Sequence, residues 1–305
     1  MKENPSGKSP RVLVVGAGIS GSAAARALVR DGIEVEVWDK GRGAGGRLST
    51  RRTASGSFNH GTTKFSVGHR TIDQEVNDWR HAGLIETSPN AGMTLVKAHG
   101  PMNGLVKHLH RDLNVFFNRR VSKLTRNADR WQVLTDQGKT SFFEHVLLAI
   151  PAPQACELVG FESVMVRLLS SIRYAPAWVI MVSSDGVADI PRNHPVIERI
   201  EESFVGACIH FTPAASREYV ECSSEDVLAL FDWGPSRPAY LSAHRWRFSQ
   251  VEWTIEERFL TDQYGLITCG DGFGGAGVES ALLSGKAAAQ HLSTRINEAQ
   301  SPSAT

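Results

Sequence analysis

The chain lacks most of what marks a secreted, metal-held or membrane protein. Its four cysteines, Cys156, Cys208, Cys222 and Cys269, stand far apart with no C-x-x-C pair, which argues against a zinc ribbon and against a disulfide framework. A reducing, cytoplasmic location is the expectation. No apolar run approaches the length of a bilayer span, and the polar opening MKENPSGKSP leads only to the short run from Val12 to Val15, too brief for a signal sequence. The net charge is +1, so no global field draws the protein toward nucleic acid or an anionic membrane. His108 and His110 stand two apart and would not share a helix face as metal ligands. There is no G-x-S-x-G elbow and no internal repeat. What remains is a chain of 305 residues, 41% hydrophobic and 21% charged, with the composition and length of one large globular domain or two interleaved ones.

The first thirty-odd residues of ordered pattern read strand, turn, helix, strand. Arg11–Val15 is a β-branched run without alternation, as in a parallel strand buried on both faces. GAGISG follows, and from Ser20 to Arg30 the residues Ala23, Ala24, Ala25, Ala27 and Leu28 predict a helix closed by Gly32. Glu34–Trp38 alternates with valines and ends at Asp39. Gly16, Gly18 and Gly21 therefore spell G-x-G-x-x-G in the context its chemistry needs. The first glycine permits the tight turn, the second the approach of a pyrophosphate, the third close packing of helix on strand. The helix start at Ile19 and Ser20 offers N–H groups to phosphate. Asp39 can accept from a ribose hydroxyl and would repel the 2′-phosphate of NADP, which leaves FAD and NAD.

GRGAGGRLSTRR comes next, from Gly41 to Arg52, and with Lys40 it sets five basic residues among four glycines. Such runs track single-stranded nucleic acid, yet glycine beside arginine also suits a pyrophosphate, and a solvated basic loop is the plain alternative. The residues Arg42 to Thr50 resemble the R-x-G-G-R-x-x-S/T element of flavin-containing amine oxidases. Further segments resemble the renalase-like branch of that superfamily: Asp39 to Arg47 its D-K-S-R-G-x-G-G-R, Ala149 to Gln154 its A-T-P-A-P-Q, Ala243 to Trp246 its A-H-R-W, and Cys269 to Asp271 its C-G-D. The likeness is weak between about Ser163 and Gly234.

That resemblance implies a mixed α/β architecture, a Rossmann-like FAD/NAD(P)-binding fold with a second substrate domain of mixed sheet and helix. It implies FAD, with Lys40, Arg42, Gly45, Gly46 and Arg47 near its pyrophosphate and ribityl chain, the Val121 backbone at adenine, and Gly270 with Asp271 at the ribityl phosphate. Ala276, Gly277, Val278 and Glu279 would begin a helix aimed at the flavin pyrimidine, where its dipole stabilises charge on the reduced ring. Gly270, Gly272 and Gly275 also spell G-x-G-x-x-G, but no acid-closed strand follows, so a second dinucleotide site is not expected. The segment from Phe58 to Phe65 aligns with a family stretch reading D-x-G-A-Q-Y-F, with Asn59 in place of the acid and Thr62, Thr63 and Lys64 where Ala, Gln and Tyr are usual. The implied catalytic candidates are His60, Lys64, His244 and Trp246, the His244-Arg245-Trp246 run also being readable as a packed cation–π group.

The implied activity is hydride transfer from a carbon next to nitrogen to flavin N5, with molecular oxygen as acceptor and hydrogen peroxide as product. The renalase-like substrate is an aberrant dihydronicotinamide dinucleotide; an amine or another dihydro-heterocycle is the alternative, and an NAD-dependent dehydrogenase or a nucleic-acid-binding module the more distant ones. The partners expected are a small-molecule substrate and oxygen, without nucleic acid or membrane. The expected domains are a discontinuous FAD domain, 1–68, 102–153 and 244–305, and a substrate domain, 69–101 and 154–243, with strands at 95–98, 121–125, 131–135, 140–143, 145–150, 178–182, 204–211, 239–243 and 266–269 and helices at 72–81, 102–111, 164–173 and 278–296.

Overall fold

The structure, a computed structural model, describes residues 10–160, 164–234 and 237–300. The chain forms two compact units, one taking the chain through Gly46, Val106–Ile172 and everything from Thr254 onward, the other Arg47–Leu105 and Arg173–Trp253.

In the first unit a six-stranded sheet runs in the order Asn114–Phe116, Glu34–Trp38, Arg11–Val15, His145–Leu148, Leu266–Thr268, Leu260–Thr261, parallel throughout except for the last strand. Arg11–Val15 has the second strand on one side and a strand from more than 100 residues later on the other, so the order reverses at its C-terminal end. Crevices at such switch points are where α/β sheets bind ligands. The helix Ile19–Arg30 ends as the glycine predicts, with Gly32 at φ +80° accepting the left-handed turn. Its face of Ala24, Ala25 and Leu28 packs into a core with Val12, Val14, Val35, Val37 and, from the closing helix Gly277–Gln300, Ala288, Ala289 and Leu292. Each buried valine or leucine of this core contributes about 1.5–3 kcal/mol. The small residues let the two helices close in: a Cβ on Gly285 would stand 2.2 Å from Ser20 O. A three-stranded antiparallel sheet, Val121–Asn127, Arg130–Thr135 and Thr140–Phe143, completes the unit's strands. Its Phe143 meets Trp38 edge-on, ring centroids 5.4 Å apart.

The second unit is built on a four-stranded antiparallel sheet in the order Ile197–Ser203, Gly206–Phe211, Arg173–Ser183, Leu241–Trp253. Trp178, Ile180, Val182, Ile209 and Phe211 bury one of its faces against Val227 and Phe231. A hairpin, Thr50–Thr53 with Gly56–Asn59, and a three-stranded sheet, Lys64–Val67, Met93–Ala98 and Ile85–Asn90, accompany it.

The boundaries differ from those expected. Residues 47–68, 102–105 and 244–253 group with the second unit, and 154–172 with the first. The strand expected to stop near Ala243 continues to Trp253 because it pairs with Arg173–Ser183 along its length, which carries His244 and Trp246 into the second unit. Pro151 and Pro153 do end the preceding strand, but they also begin a helix, Ala152–Val159, since proline suits the first helical turn, where its missing N–H is no loss.

Candidate functional site

The candidate residues form two clusters, one in each unit. In the first unit, Gly16 leaves the central strand at φ +109°, and a Cβ there would stand 2.5 Å from Ala149 O. Gly21 is fixed by packing, since its Cβ would meet Gly16 O at 2.1 Å. Gly18 differs in kind: its φ is −80° and a Cβ would meet nothing within 4 Å. Neither backbone strain nor protein packing requires glycine at that position, so what its missing side chain preserves is open space at the helix start. No side chain caps this helix and no acid sits in its first turn, so its unpaired N–H groups at Ile19 and Ser20 and its partial positive charge are unopposed. A dinucleotide pyrophosphate fits these residues.

Asp39 does more here than sequence reasoning foresaw. Its Oδ2 accepts from Ala17 N at 2.7 Å and its Oδ1 from Gly41 N at 2.6 Å, tying the glycine turn to the basic run while each oxygen keeps a lone pair for a ribose hydroxyl. Gly45 forms a bridge with Gly18 and donates its N–H to Ala17 O at 3.2 Å. Gly46 takes φ +54°, and its Cβ would be 3.4 Å from Gly18 Cα. The glycines of the run thus close over the turn, while Lys40 and Arg42 are exposed. Beneath, Ser22 Oγ donates to Gly18 O at 2.7 Å and accepts from His110 Nε2 at 2.7 Å; burial holds His110 at about 4, against the pull of Asp39.

Level with this turn, just beyond the C-terminal end of the Leu266–Thr268 strand, Gly270 N donates to Ser284 Oγ, which donates to Arg258 O. Asp271 and Val278 are buried, and Gly277, at φ +87°, opens the closing helix with Glu279 in its first turn. The second G-x-G-x-x-G is spent on packing, because a Cβ on Gly272 would meet Ile172 Cγ2 at 2.4 Å and one on Gly275 would meet Ser280 Oγ at 2.6 Å. Val121 is the buried first residue of its strand, opposite Thr135.

In the second unit Arg47 donates from Nη1 to Ser249 O at 3.0 Å and lies 5.6 Å from the Tyr174 ring centroid. Its own carbonyl accepts Thr62 N at 2.9 Å, and a Cβ on Gly61 would stand 2.0 Å from that oxygen. Gly61→Ala is therefore expected to cost about 1–3 kcal/mol by forcing this turn open; a denaturation midpoint equal to that of the unaltered protein would contradict the close approach.

His60, His244 and Trp246 meet in this unit. The His60 and Trp246 rings stack at 5.3 Å and 23°, while His244 stands edge-on to both, at 4.9 and 4.3 Å. Trp246 Nε1 donates to His60 O at 2.9 Å. His60 Nδ1 faces Phe58 O at 3.4 Å, which puts its proton there and leaves Nε2 to accept from Ser49 Oγ at 3.4 Å. Burial, then the neighbouring His244 and, further off, Arg51, pushes His60 down to about 4; burial and Arg51 do the same to His244. Both rings are neutral at pH 7. Lys64 is exposed, opposite Lys97 at the start of its strand.

Asn59 is explained by architecture. Its Oδ1 accepts from Thr50 Oγ1 and Met102 N at 2.6 and 2.9 Å, and its Nδ2 donates to Gly100 O at 3.1 Å, a donation that an aspartate could not make. Thr63 Oγ1 donates to Glu201 Oε1, which also accepts from Arg199 Nε at 3.0 Å. Arg199 Nη2 donates to His210 Nδ1 at 3.1 Å, leaving His210 Nε2 3.6 Å from Glu201 Oε2. Burial opposes the Glu201 charge, but His210 and Arg199 hold the carboxyl down at about 2. Sequence reasoning missed this group, whose only signal was the charged alternation of IERIEES.

Among the described residues no three His, Cys, Asp or Glu side chains gather as a metal site, and no helix is long and apolar enough to cross a membrane. All four cysteines are free, and burial pushes Cys208 and Cys269 up to about 12, which makes them inert thiols.

Comparison with known proteins agrees with this geometry. Residues 14–78 match an NAD(P)-binding Rossmann-like domain and residues 69–193 the flavin-containing amine oxidoreductase family. Renalase of Mus musculus is 27% identical over 318 aligned residues, covering 86% of this chain and 93% of that protein. The bifunctional tRNA 5-methylaminomethyl-2-thiouridine biosynthesis protein MnmC of Marinomonas sp. (strain MWYL1) is 31% identical over 107 residues, 30% of this chain and 15% of its own. Among solved structures, one assigned as a protoporphyrinogen oxidase of Exiguobacterium sp. 255-15 superposes with a TM-score of 0.71 at 13% identity, covering 94% of this chain and 99% of that one. A conjugated-linoleic-acid-producing fatty acid isomerase of P. acnes gives 0.66 at 9% identity, covering 92% and 98%. At those identities the shared property is the fold.

Proposed function

Given that the chain is a renalase-like FAD-dependent oxidoreductase of the flavin-containing amine oxidase superfamily, we propose that its substrate is an aberrant dihydronicotinamide dinucleotide. The observation that carries this reading is the renalase likeness, which spans 86% of this chain and 93% of its relative. The chemistry that FAD supplies when bound is two-electron acceptance, hydride from a carbon next to nitrogen going to N5 and on to molecular oxygen as hydrogen peroxide.

This chain's residues divide the remaining work. The turn Gly16–Gly21, Asp39, Gly45 and Gly46 hold the pyrophosphate and ribose end, with Lys40, Arg42 and Arg47 proposed as further cofactor contacts. Val121, Gly270, Asp271, Gly277, Val278 and Glu279 are proposed for the adenine, ribityl and pyrimidine portions. His244 and Trp246, with the buried His60 stacked on Trp246, form the substrate-binding surface of the second unit. An ammonium substrate must lose a proton before its carbon can give up hydride, and imidazoles held near 4 are poor acceptors for it. A dihydronicotinamide has no such proton to lose, so neutral, stacked rings suit it. The exposed Lys64 takes no part in this assignment. We further place the protein in the cytoplasm, with no nucleic-acid partner.

Anaerobic mixing tests the reading. Dihydronicotinamide isomers are expected to bleach the flavin band within seconds, and admitted oxygen to restore it. Bleaching by simple amines but by no dihydronicotinamide isomer would replace this reading with that of an amine oxidase, the one the amine oxidoreductase match at residues 69–193 favours.

A further inference from the structure

The Arg51 side chain of the basic run is used neither by the cofactor turn nor, among the described residues, by a hydrogen bond or ion pair. Arg51 lies on the Thr50–Thr53 strand directly opposite Phe58, and opposed residues of an antiparallel pair project to the same face. Phe58 is 2% exposed and packs with Val179, Met181, Cys208 and Trp246. Arg51 therefore projects toward the face of the four-stranded sheet where His244 stands beside Val179, and its charge reaches both His60 and His244. The side chain is half-buried and, among the described residues, makes no hydrogen bond or ion pair. No carboxylate stands on either strand of its hairpin, and the oxygens of Glu201 are engaged with Arg199, Thr63 and His210.

A half-buried guanidinium with no counterion among the described residues is complementary to an anion whose oxygens can accept from it. We propose that Arg51 recognises a phosphate of the substrate. The assignment rests on the dihydronicotinamide nucleotide reading, whose substrates carry phosphate where simple amines carry none. Guanidinium geometry matches a phosphate edge with two parallel N–H donors, which lysine cannot reproduce.

The test is calorimetric titration of the FAD-loaded protein with two oxidised probes, nicotinamide riboside and nicotinamide mononucleotide, which differ by one phosphate. The unaltered protein is expected to prefer the mononucleotide by roughly tenfold or more. Arg51→Gln should bring the two affinities to parity with the riboside affinity unchanged, and Arg51→Lys should restore part of the preference; FAD content and melting temperature serve as folding controls. Equal binding of the two probes by the unaltered protein, or an undiminished preference in Arg51→Gln, overturns the proposal. Should Arg51→Gln not fold, the unaltered protein and Arg51→Lys decide it, full preference in the latter being contrary. The probes undergo no turnover, so the two readings fail separately. Loss of preference in Arg51→Gln without bleaching by any dihydronicotinamide leaves the phosphate site and removes the substrate; bleaching without a phosphate preference does the reverse.

Discussion

Gly18→Val is expected to leave the fold intact and to remove the cofactor. The position has an ordinary φ of −80°, and an added Cβ would touch nothing within 4 Å, so the FAD-free variant should keep its circular dichroism and lose less than about 1 kcal/mol of stability. The valine methyls would occupy the space through which a pyrophosphate reaches the first-turn N–H groups, and FAD affinity should fall roughly 100-fold or more, about 3 kcal/mol. Gly21→Ala makes the contrast. Its Cβ would lie 2.1 Å from Gly16 O, so it should destabilise the protein whether or not FAD is present, by about 1–3 kcal/mol or more. Equilibrium dialysis with FAD and thermal melts of both variants separate the two effects. Normal FAD affinity in Gly18→Val would show that the cofactor does not pass this turn.

The second large effect is acid lability beginning well above the carboxylate range. His60, His110, His145 and His244 are each held at about 4, chiefly by burial, against an ordinary value of 6.5. Their folded-state values are depressed, so the unfolded chain binds more protons than the native one between pH 6.5 and 4. Stability is then fully present above 6.5 and declines as the pH falls through that window. The slope approaches about 1.4 kcal/mol per pH unit for each group, and, discounted for partial exposure, the four together amount to on the order of 5 kcal/mol. Two of these rings lie in each unit, so both should weaken. Urea midpoints measured from pH 7.5 to 4.5 should fall steeply below 6.5, and replacing His145 by Asn should flatten the curve. A level midpoint down to pH 5 would mean that these rings are solvated or titrate normally.

The cofactor unit was far more legible in the sequence than the other. Gly16, Gly18, Gly21 and Asp39 sit within one local pattern, and strand, turn and helix signals there agree. Even so, the pattern could not say that Asp39 ties Ala17 N to Gly41 N, because that role appears only when the two turns are folded side by side. In the second unit the informative contacts join residues far apart in the chain. Glu201 meets Thr63, and Trp246 meets His60. Ile197–Ser203 is an edge strand, so its sequence carries charges rather than the apolar alternation that reveals a buried strand. The strand Ile85–Asn90 is likewise an edge, which is why it accommodates Pro89. The length of Leu241–Trp253 was hidden by its polar run, and with it the domain to which His244 belongs.

The most direct measurement is a visible absorption spectrum of the purified protein after incubation with FAD and removal of the excess, recorded beside that of Gly18→Val. The account predicts flavin bands corresponding to one FAD per chain in the unaltered protein and their loss in the variant. A colourless unaltered protein that takes up no FAD would contradict it.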